Sequence, residues 1–447
     1  MFLPSSVEPT FLKFSRAFDP RTAARVSVLI VGLILCRGRH TVTAALRAVG
    51  ALAGGHFSTY HRVVSRASWS TWALGRILAT MVIELLAAAE VVKLAVDETV
   101  DEHKGPQVYG KGCHRDAVRS SHSHTSYKWG HKWVTLAIIV KFPWSRRPWA
   151  LPVLAVLYRP EKLNRAEGRR HKTPAELARQ MLAAMIHWFP TRKFVLLGDG
   201  GYATLDLAHF CADHGAHLVS RLRADAALYA PPPAKKKGQK GRPRVKGRKI
   251  ASPGDVAQAK NAQWKRATVA WYGGGTRRVR LLTGTGLWYN HGIAVEVRWV
   301  YVQDRQGTHR DDCVFSTDVS LSPERIIGLF TRRWSIEVTF QEVRAHLGFE
   351  TTRPWSQRSV LRVAPCLLGL FSVVSLAFHE HVRRHPVAPA VADWYEKTEL
   401  TFSDAIAAIR KDLWRKTIFG SSAFNAHIAK LAKPARTLLL YALAAAA

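Results

Sequence analysis

The stretch "VVKLAVDET" (residues 91–99) is a β-branched apolar run that ends in two adjacent carboxylates, Asp97 and Glu98. Apolar runs of this length and composition are typical of buried strands. A second run, "KFVLLGDGGY" (193–202), stops at Asp199 and two glycines. Side chains at strand ends project from a rigid sheet into a crevice, where ligand sites form. Both runs therefore predict strands that carry candidate site residues at their ends.

The segments around these two runs predict a mixed α/β sheet. Residues 131–142 and 149–160 read as two further strands, and residues 173–189 read as a helix that opens with a capping box. A helix and a strand follow in residues 204–225. The order of three strands, helix, strand, helix, strand favours a ribonuclease H-like fold, although other α/β folds share much of it.

The composition points to nucleic acid as the partner. The chain has 66 Lys and Arg against 32 Asp and Glu, a formal net charge of +34 and a pI of about 10.6, which is an electrostatic footprint for a polyanion. Five isolated cysteines without C-x-x-C spacing argue against a disulfide framework or zinc ribbon. The longest apolar runs fall short of the ~20 residues that span a bilayer. We expect a cytoplasmic protein without a membrane partner.

The domain organisation predicted from these patterns is an α/β core interrupted by a β-rich insertion, with helical N- and C-terminal regions. Its segments are a helical DNA-binding region (1–90), the first part of the core (91–225), a basic loop and β insertion (226–310), the second part of the core (311–381) and a C-terminal helical region (382–447).

The N-terminal region contains two short amphipathic segments separated by "ALAGGHF" (51–57), with Ser58 placed to cap the second one. This arrangement resembles a helix-turn-helix in outline, in which Arg62 and Arg66, with His61, would contact DNA. An ordinary helical bundle with a basic outer face is the alternative, and the spacing leaves both open.

Two basic loops are further candidates for DNA contact. The loop 103–133 interleaves cations with aromatics, among them Lys128 and Trp129, which suits a phosphate backbone and an unstacked base. Residues 231–249 combine four prolines with nine Lys and Arg, as in an arm that lies on phosphates. A solvated loop is the competing interpretation of each. Cys113-His114 and His122-x-His124 lack zinc-finger spacing.

The segment "RRWSIEVTFQEVRAHLG" (332–348) reads as a helix with one acid, Glu337, between Arg333 and Arg344. Helical spacing places these three residues and Phe330 along one face. Buried carboxylates need counter-cations, and carboxylate oxygens are ligands for Mg²⁺. We therefore expect Glu337 to join the two aspartates at a metal site. The alternative is an exposed i,i+4 ion pair worth only ~0.3–0.5 kcal/mol.

Together these motifs resemble the DDE transposases of bacterial insertion sequences. The likeness rests on "LAVDET" with Asp97, on "VLLGDGGY" with Asp199, and above all on "FTRRWSIEVTFQEVRAHLG" (330–348). The last is similar to the Y-x2-R-x3-E-x6-K signature of the subgroup with a β insertion before the glutamate. Phe330 stands for the tyrosine and Arg344 for the lysine, so two of the four positions depart from the signature.

The resemblance implies a reaction and a set of partners. Asp97, Asp199 and Glu337 would hold two Mg²⁺ ions, with Mn²⁺ able to substitute, for cleavage at element ends and attack of the freed 3′-hydroxyl on target DNA. It also implies double-stranded DNA with terminal inverted repeats as the partner, a homodimer in the DNA complex, and a bacterial, nucleoid-associated location. The residues that would contact DNA are Phe330, Arg333, Arg344 and Tyr202.

Related transposases stack a flipped base on an aromatic residue of the insertion. The candidates here are Trp264, Trp271, Trp288 and Trp299, for which packing in the β layer is the alternative. Two other functions compete with transposition: a non-catalytic DNA-binding protein on the same scaffold, and a structure-specific ribonuclease H-like endonuclease.

Overall fold

The N-terminal part of the chain is helical, as expected. The computed structural model describes residues 8–116, 119–120, 123–234, 242–389, 394, 396–418, 427–428 and 430–445. The helices before the first strand are α1 Glu8–Ser15, α2 Pro20–Leu35, α3 Val42–Val49, α4 Ser58–Ser65 and α5 Thr71–Ile83. Both α3 and α4 pack on α2. Ser58 does not cap α4 as predicted, because Phe57 is already helical; the Ser58 hydroxyl instead lies 2.8 Å from His56 Nδ1.

The predicted ribonuclease H-like sheet is present. Its strands are β1 Val92–Glu102, β2 Gly112–Arg115, β3 Tyr127–Val140, β4 Trp149–Tyr158, β5 Phe194–Leu197 and β6 Ala216–Arg221. The strands β4, β3 and β1 are successively antiparallel, whereas β1, β5 and β6 are successively parallel. The connecting helices are α6 Glu161–Ala166, α7 Pro174–Trp188 and α8 Leu205–Asp213. The capping box predicted at Thr173 and Glu176 opens α7.

The β insertion extends this sheet rather than forming a separate one. Its elements are β7 Leu228–Tyr229, β8 Lys249–Ile250, α9 Pro253–Gln258, β9 Lys265–Ala270, β10 Thr276–Asn290 and β11 Ile293–Asp304, followed by β12 Asp312–Ser316. Strand β12 pairs with β11 on one side and with β6 on the other, so one sheet of twelve strands runs through both regions. The hairpin between β9 and β10 turns at Gly273–Gly275, as predicted.

Helices complete the second half of the chain. They are α10 Pro323–Arg332, α11 Ser335–Leu347, α12 Gln357–Arg384, α13 Phe402–Leu413 and α14 Lys433–Ala444. Helix α12 packs on β4 and α13 and contains Pro365 without a break. Among the described helices, only α12 is long and apolar enough to cross a membrane, but 72% of its most apolar 18-residue stretch is buried inside the protein.

The structure differs from the prediction at the first basic loop and describes only part of the second. The stretch 103–133 is not one loop, because β2 and the first residues of β3 pair within it. Part of the basic arm, residues 235–241, lies outside the described residues, as does His122.

Candidate active site

The two aspartates occupy equivalent places on neighbouring parallel strands. Strands β1 and β5 pair from Val92 to Ala95, with Ala95 opposite Leu197, and each aspartate follows two residues after that last pair. Because side chains alternate along a strand, Asp97 and Asp199 emerge on the same side of the sheet. The prediction that Asp97 ends its strand is wrong, since β1 continues to Glu102 by pairing with β3. Only the pairing of β1 with β5 ends before Asp97.

Arg333 joins two of the three acids. Its Nη1 donates to Asp97 Oδ2 at 2.5 Å and its Nη2 donates to Glu337 Oε1 at 2.8 Å. The guanidinium side chain is only 9% exposed. The ion pair between Arg333 and Glu337 is therefore not the exposed surface pair considered above, because its guanidinium is buried and shared with Asp97, although the Glu337 side chain is 34% exposed.

The signature segment is two helices rather than one. Helix α10 ends at Arg332 and α11 begins at Ser335, with Arg333 and Trp334 in a tight turn between them. Both turn residues keep right-handed helical φ and ψ angles. Arg333 and Glu337 therefore still meet at i,i+4 spacing, as predicted, although the segment is divided into two helices.

The electrostatics of the cluster reflect crowded negative charge. Burial and then the charge of Asp199 raise the pKa of Asp97 to about 7, against the opposing effect of Arg333. Burial likewise raises the pKa of Glu337, with Arg333 opposing and Asp199 adding to the rise. Burial acts to lower the pKa of Arg333, but Asp97 and Glu337 outweigh it and the net shift is upward.

This donor set suits a hard divalent cation, because it offers carboxylate oxygens and its surplus negative charge would be relieved by one. The possible ligand atoms of Asp97, Asp199 and Glu337 do not all lie within 4.8 Å of one another; among the described residues, that criterion is met by a different group, Asp101, His103 and His131. The three acids thus surround Arg333 without sharing one coordination point in this structure.

Three of the predicted DNA contacts are buried: Arg333, as described above, and the aromatic residues Phe330 and Tyr202. Phe330 is 4% exposed and lies under the guanidinium groups of Arg221 and Arg333. Tyr202 is 1% exposed, and its hydroxyl donates to Glu98 Oε1 at 3.5 Å. Neither side chain has surface for DNA in this arrangement. Both rings instead pack at the site, Phe330 from helix α10 and Tyr202 from the turn that follows β5.

The remaining predicted contacts are more accessible. Arg344 donates to Thr99 Oγ1, to the carbonyl of Val100 and to Glu350 Oε1, so it lies farther along β1 than Asp97. Trp129 is 58% exposed, with Lys111 over its ring. Lys128 lies 3.7 Å from Asp116. Arg62 and Arg66 are exposed on and just after α4.

Sequence reasoning missed Trp334, which is 46% exposed beside the buried Arg333. The Tyr272 ring packs edge-on against it at 5.7 Å, so the hairpin tip of the insertion reaches the signature turn. Gly274 adopts φ +82° there, and a Cβ would lie 2.8 Å from the carbonyl oxygen of Arg146. A cavity of about 520 Å³ opens between these elements. The signal available in the sequence was that Trp334 directly follows the signature arginine, Arg333.

The tryptophans of the insertion mostly pack in the β layer. Trp299 is 4% exposed, and Trp288 contacts Phe315 with ring centroids 5.4 Å apart. Trp264 lies under the guanidinium of Arg280. Trp271 adjoins Tyr272 and lines the cavity beside the signature turn, which makes it the member of the four that is nearest the cluster of acids.

Comparison with known proteins places the chain in a family. Residues 13–278, more than half of the chain, match the model of the family described as DDE superfamily endonuclease. The chain belongs to this family, which is one of nucleases that use divalent metal ions. The matched residues include Asp97 and Asp199 and end before Glu337.

No curated protein matches the chain. Among solved structures, the chain is similar to one described as the cryo-EM structure of a piggyBac transposase synaptic complex with hairpin DNA, at 9% sequence identity and a TM-score of 0.39, over 98% of this chain and 81% of that one.

Proposed function

We propose that this protein is a DNA transposase that cleaves the ends of an insertion element and transfers the freed 3′-hydroxyl to target DNA, with Asp97, Asp199 and Glu337 as the metal-binding acids. The observation that carries the proposal is that one buried guanidinium, Arg333, joins Asp97 to Glu337, while the register of the central strands β1 and β5 brings Asp199 beside Asp97. Membership of the DDE superfamily endonucleases supports the nuclease part.

The three carboxylates fit two divalent ions held pairwise better than a single ion held by all three, because they do not share one coordination point. Mg²⁺ is the expected ion, with Mn²⁺ able to replace it. When bound, the ions supply Lewis-acid activation of water or of a 3′-hydroxyl and neutralise charge on the phosphate.

The protein's own residues perform the remaining tasks. Asp97 is the shared acid in this proposal, since Arg333 joins it to Glu337 and the register of β1 and β5 sets it beside Asp199. Arg333 fixes the orientation of two carboxylates and brings a positive charge next to the reacting phosphodiester. Glu98 is held away from the acids by Lys132 at 2.7 Å and by Tyr202, and is a positioning residue.

The DNA surface surrounds this cluster. Trp334 and Tyr272 lie on one side of it, and the β2–β3 extension with Tyr127 and Trp129, 65% and 58% exposed, lies on another. Exposed aromatics among cations suit unstacked bases and phosphates. A homodimer on paired element ends, with Arg62 and Arg66 on the end sequences, completes the proposal.

The test is cleavage of a supercoiled plasmid that carries the DNA flanking the coding region on both sides. We expect Mg²⁺-dependent cuts at the borders of inverted repeats, lost in Asp199→Asn with DNA binding retained. Asp213→Asn, an exposed aspartate at the end of α8, is the matched control and should cleave normally.

Two outcomes contradict the proposal in different ways. A parent protein that binds the plasmid without cutting it, at any Mg²⁺ or Mn²⁺ concentration, supports a non-catalytic DNA-binding protein. Cleavage of branched junctions irrespective of the inverted repeats supports a structure-specific endonuclease.

A further inference from the structure

A second group of potential metal ligands lies at the far end of β1. Asp101 lies in the strand that carries Asp97, His103 directly follows that strand, and His131 lies opposite Asp101 in the β1–β3 ladder. Their ligand atoms all lie within 4.8 Å of one another, and all three residues are buried, between 1% and 3% exposed. Asp97 and Asp101 are four residues apart, so about 13 Å of extended strand separates them.

The hydrogen bonds of His131 leave one nitrogen facing Asp101. His131 Nε2 lies 2.8 Å from the carbonyl oxygen of Tyr109 and therefore donates to it. In a neutral imidazole the other nitrogen, Nδ1, then carries a lone pair. That nitrogen lies 3.7 Å from Asp101 Oδ1, and Oδ1 is buried and accepts no hydrogen bond from any described residue. Two buried electron-pair donors thus face each other without a proton between them.

This spacing matches two ligands of one metal ion. Ligands bound to tetrahedral Zn²⁺ at about 2.0–2.2 Å lie about 3.3 Å apart, whereas 3.7 Å is too long for a hydrogen bond. A ligating histidine typically donates its second N–H to a backbone carbonyl, which fixes its tautomer; His131 makes that bond with Tyr109.

We propose that Asp101, His103 and His131 bind one divalent transition-metal ion of the Zn²⁺ class, separately from the catalytic carboxylates. Two imidazoles and one carboxylate form a ligand set for such an ion, and water completes the coordination. His103 Nε2 lies 2.9 Å from Asp101 Oδ2. To coordinate through Nε2, a neutral His103 changes tautomer: the Nε2 proton is released to water and Nδ1 takes up a proton from water, so that the hydrogen bond to Asp101 is replaced by coordination with no net change in protonation.

The site has an access path and a structural consequence. His103 lines an open groove of about 820 Å³ together with Glu102, Val108 and Trp355, which gives an ion a route from solvent. The ion ties β1 to β3 and, through the Tyr109 carbonyl, to the segment that leads into β2. It thereby anchors the extension that carries Tyr127 and Trp129 to the catalytic sheet.

The experiment is a titration of the chelator-stripped, full-length protein with Co²⁺, followed by visible absorption. Co²⁺ in a site with two imidazoles and few ligands absorbs strongly, whereas an octahedral all-oxygen site absorbs weakly. We expect one strongly absorbing Co²⁺ per chain, displaced by one equivalent of Zn²⁺, and a rise in the melting temperature on metal binding. Absence of this band in the parent protein overturns the proposal.

Variants assign the band to its ligands. It should disappear in His103→Gln and in His131→Gln, each checked for folding by circular dichroism, and it should persist in the double variant Asp97→Asn/Asp199→Asn. His114→Gln is the matched control, because His114 is a buried histidine on β2, 5% exposed, that is not in the group; it should keep the band.

Besides absence of the band in the parent protein, three results overturn the proposal. The first is a band that survives in folded His131→Gln, and the second is a band that is lost in folded His114→Gln. The third is a band that disappears in Asp97→Asn/Asp199→Asn while His103→Gln retains it. Because the readout is metal binding without DNA, failure of the transposase proposal leaves this result intact, and the reverse also holds.

Discussion

Asp97 and Asp199 lie side by side on parallel strands, each two residues beyond the pair Ala95–Leu197. This register places two like charges together in a partly buried setting, and Arg333 is the counter-charge that contacts Asp97. The balance between these charges is the basis of the first two predictions.

Metal affinity should depend on pH through Asp97. Its pKa is raised from 3.8 to about 7, so the carboxyl is protonated below neutrality and must lose that proton to bind a cation. One competing proton lowers the apparent affinity about tenfold for each pH unit below about 7. We expect the Mn²⁺ affinity, measured by water-proton relaxation, to change little between about pH 8 and about pH 7 and to fall about tenfold per pH unit from there to about pH 5.5. An affinity that is constant over this range contradicts the assignment.

The same shift affects the stability of the metal-free protein. A carboxyl with a raised folded-state pKa favours folding below its ordinary pKa of 3.8, and that contribution is lost as the pH rises through about 7. Added Mg²⁺ should therefore stabilise the protein more at high pH than at low pH. Thermal melts with and without Mg²⁺ across this range provide the measurement.

Arg333→Met should destabilise the metal-free protein strongly. The substitution leaves Asp97 and Glu337 without their shared cation, and breaking a buried ion pair in this way costs roughly 3–5 kcal/mol of unfolding free energy. Urea denaturation measures the loss, and saturating Mg²⁺ should restore part of it. The control Arg325→Met, at an exposed position on the preceding helix α10, should change the unfolding free energy by less than about 0.5 kcal/mol. Equal losses in the two variants would refute this role of Arg333.

Trp334→Ala should weaken DNA binding without affecting the fold. The ring is 46% exposed, and removal of one base-stacking aromatic costs about 1–3 kcal/mol, or roughly five- to 150-fold in affinity. Fluorescence anisotropy with single-stranded DNA measures the effect, and Trp334→Phe should recover most of the affinity. Tyr441→Ala, which removes a ring that is 72% exposed on α14, serves as the control. Unchanged binding by Trp334→Ala would remove this residue from the DNA surface.

Arg362→Met should loosen the N-terminal helices from the core. Its guanidinium donates to the carbonyls of Val64, Ala67 and Trp69 and lies 4.3 Å from the Trp69 ring. These bonds satisfy the carbonyls at the end of α4, so their loss leaves buried acceptors unpaired at about 1–3 kcal/mol each. Hydrogen exchange should increase in α4 while β1 and β5 stay protected. Uniform protection would contradict the coupling.

The fold could be predicted because its strands carry a strong local signal. A pattern of a few residues is enough to predict each of these elements. The examples are the buried runs 92–96 and 194–197, which predict strands, and the capping box that begins α7. The continuity of the insertion with the sheet could not be predicted, since strand β12 joins β6 across about ninety residues of chain and no local pattern records a partner at that distance.

The candidate site was only partly predictable for the same reason. The acids Asp97, Asp199 and Glu337 stand in motifs, whereas the turn at Arg333–Trp334 contains no helix breaker, so the periodicity read as one helix. Arg344 kept its predicted helical position, but its contacts with Thr99 and Glu350 depend on tertiary packing. The Asp101, His103 and His131 group was missed because its spacing matches no familiar zinc pattern and only the β1–β3 register assembles it.

The hydrogen-bonded ladder between β6, β12 and β11 has a mechanical consequence. An insertion joined to the core by flexible linkers could swing open like a lid, but one that shares a sheet with the core cannot do so without breaking strand pairing. Access for a duplex must therefore come from deformation of the DNA itself or from small movements of the hairpin tip at Tyr272 and Gly273–Gly275.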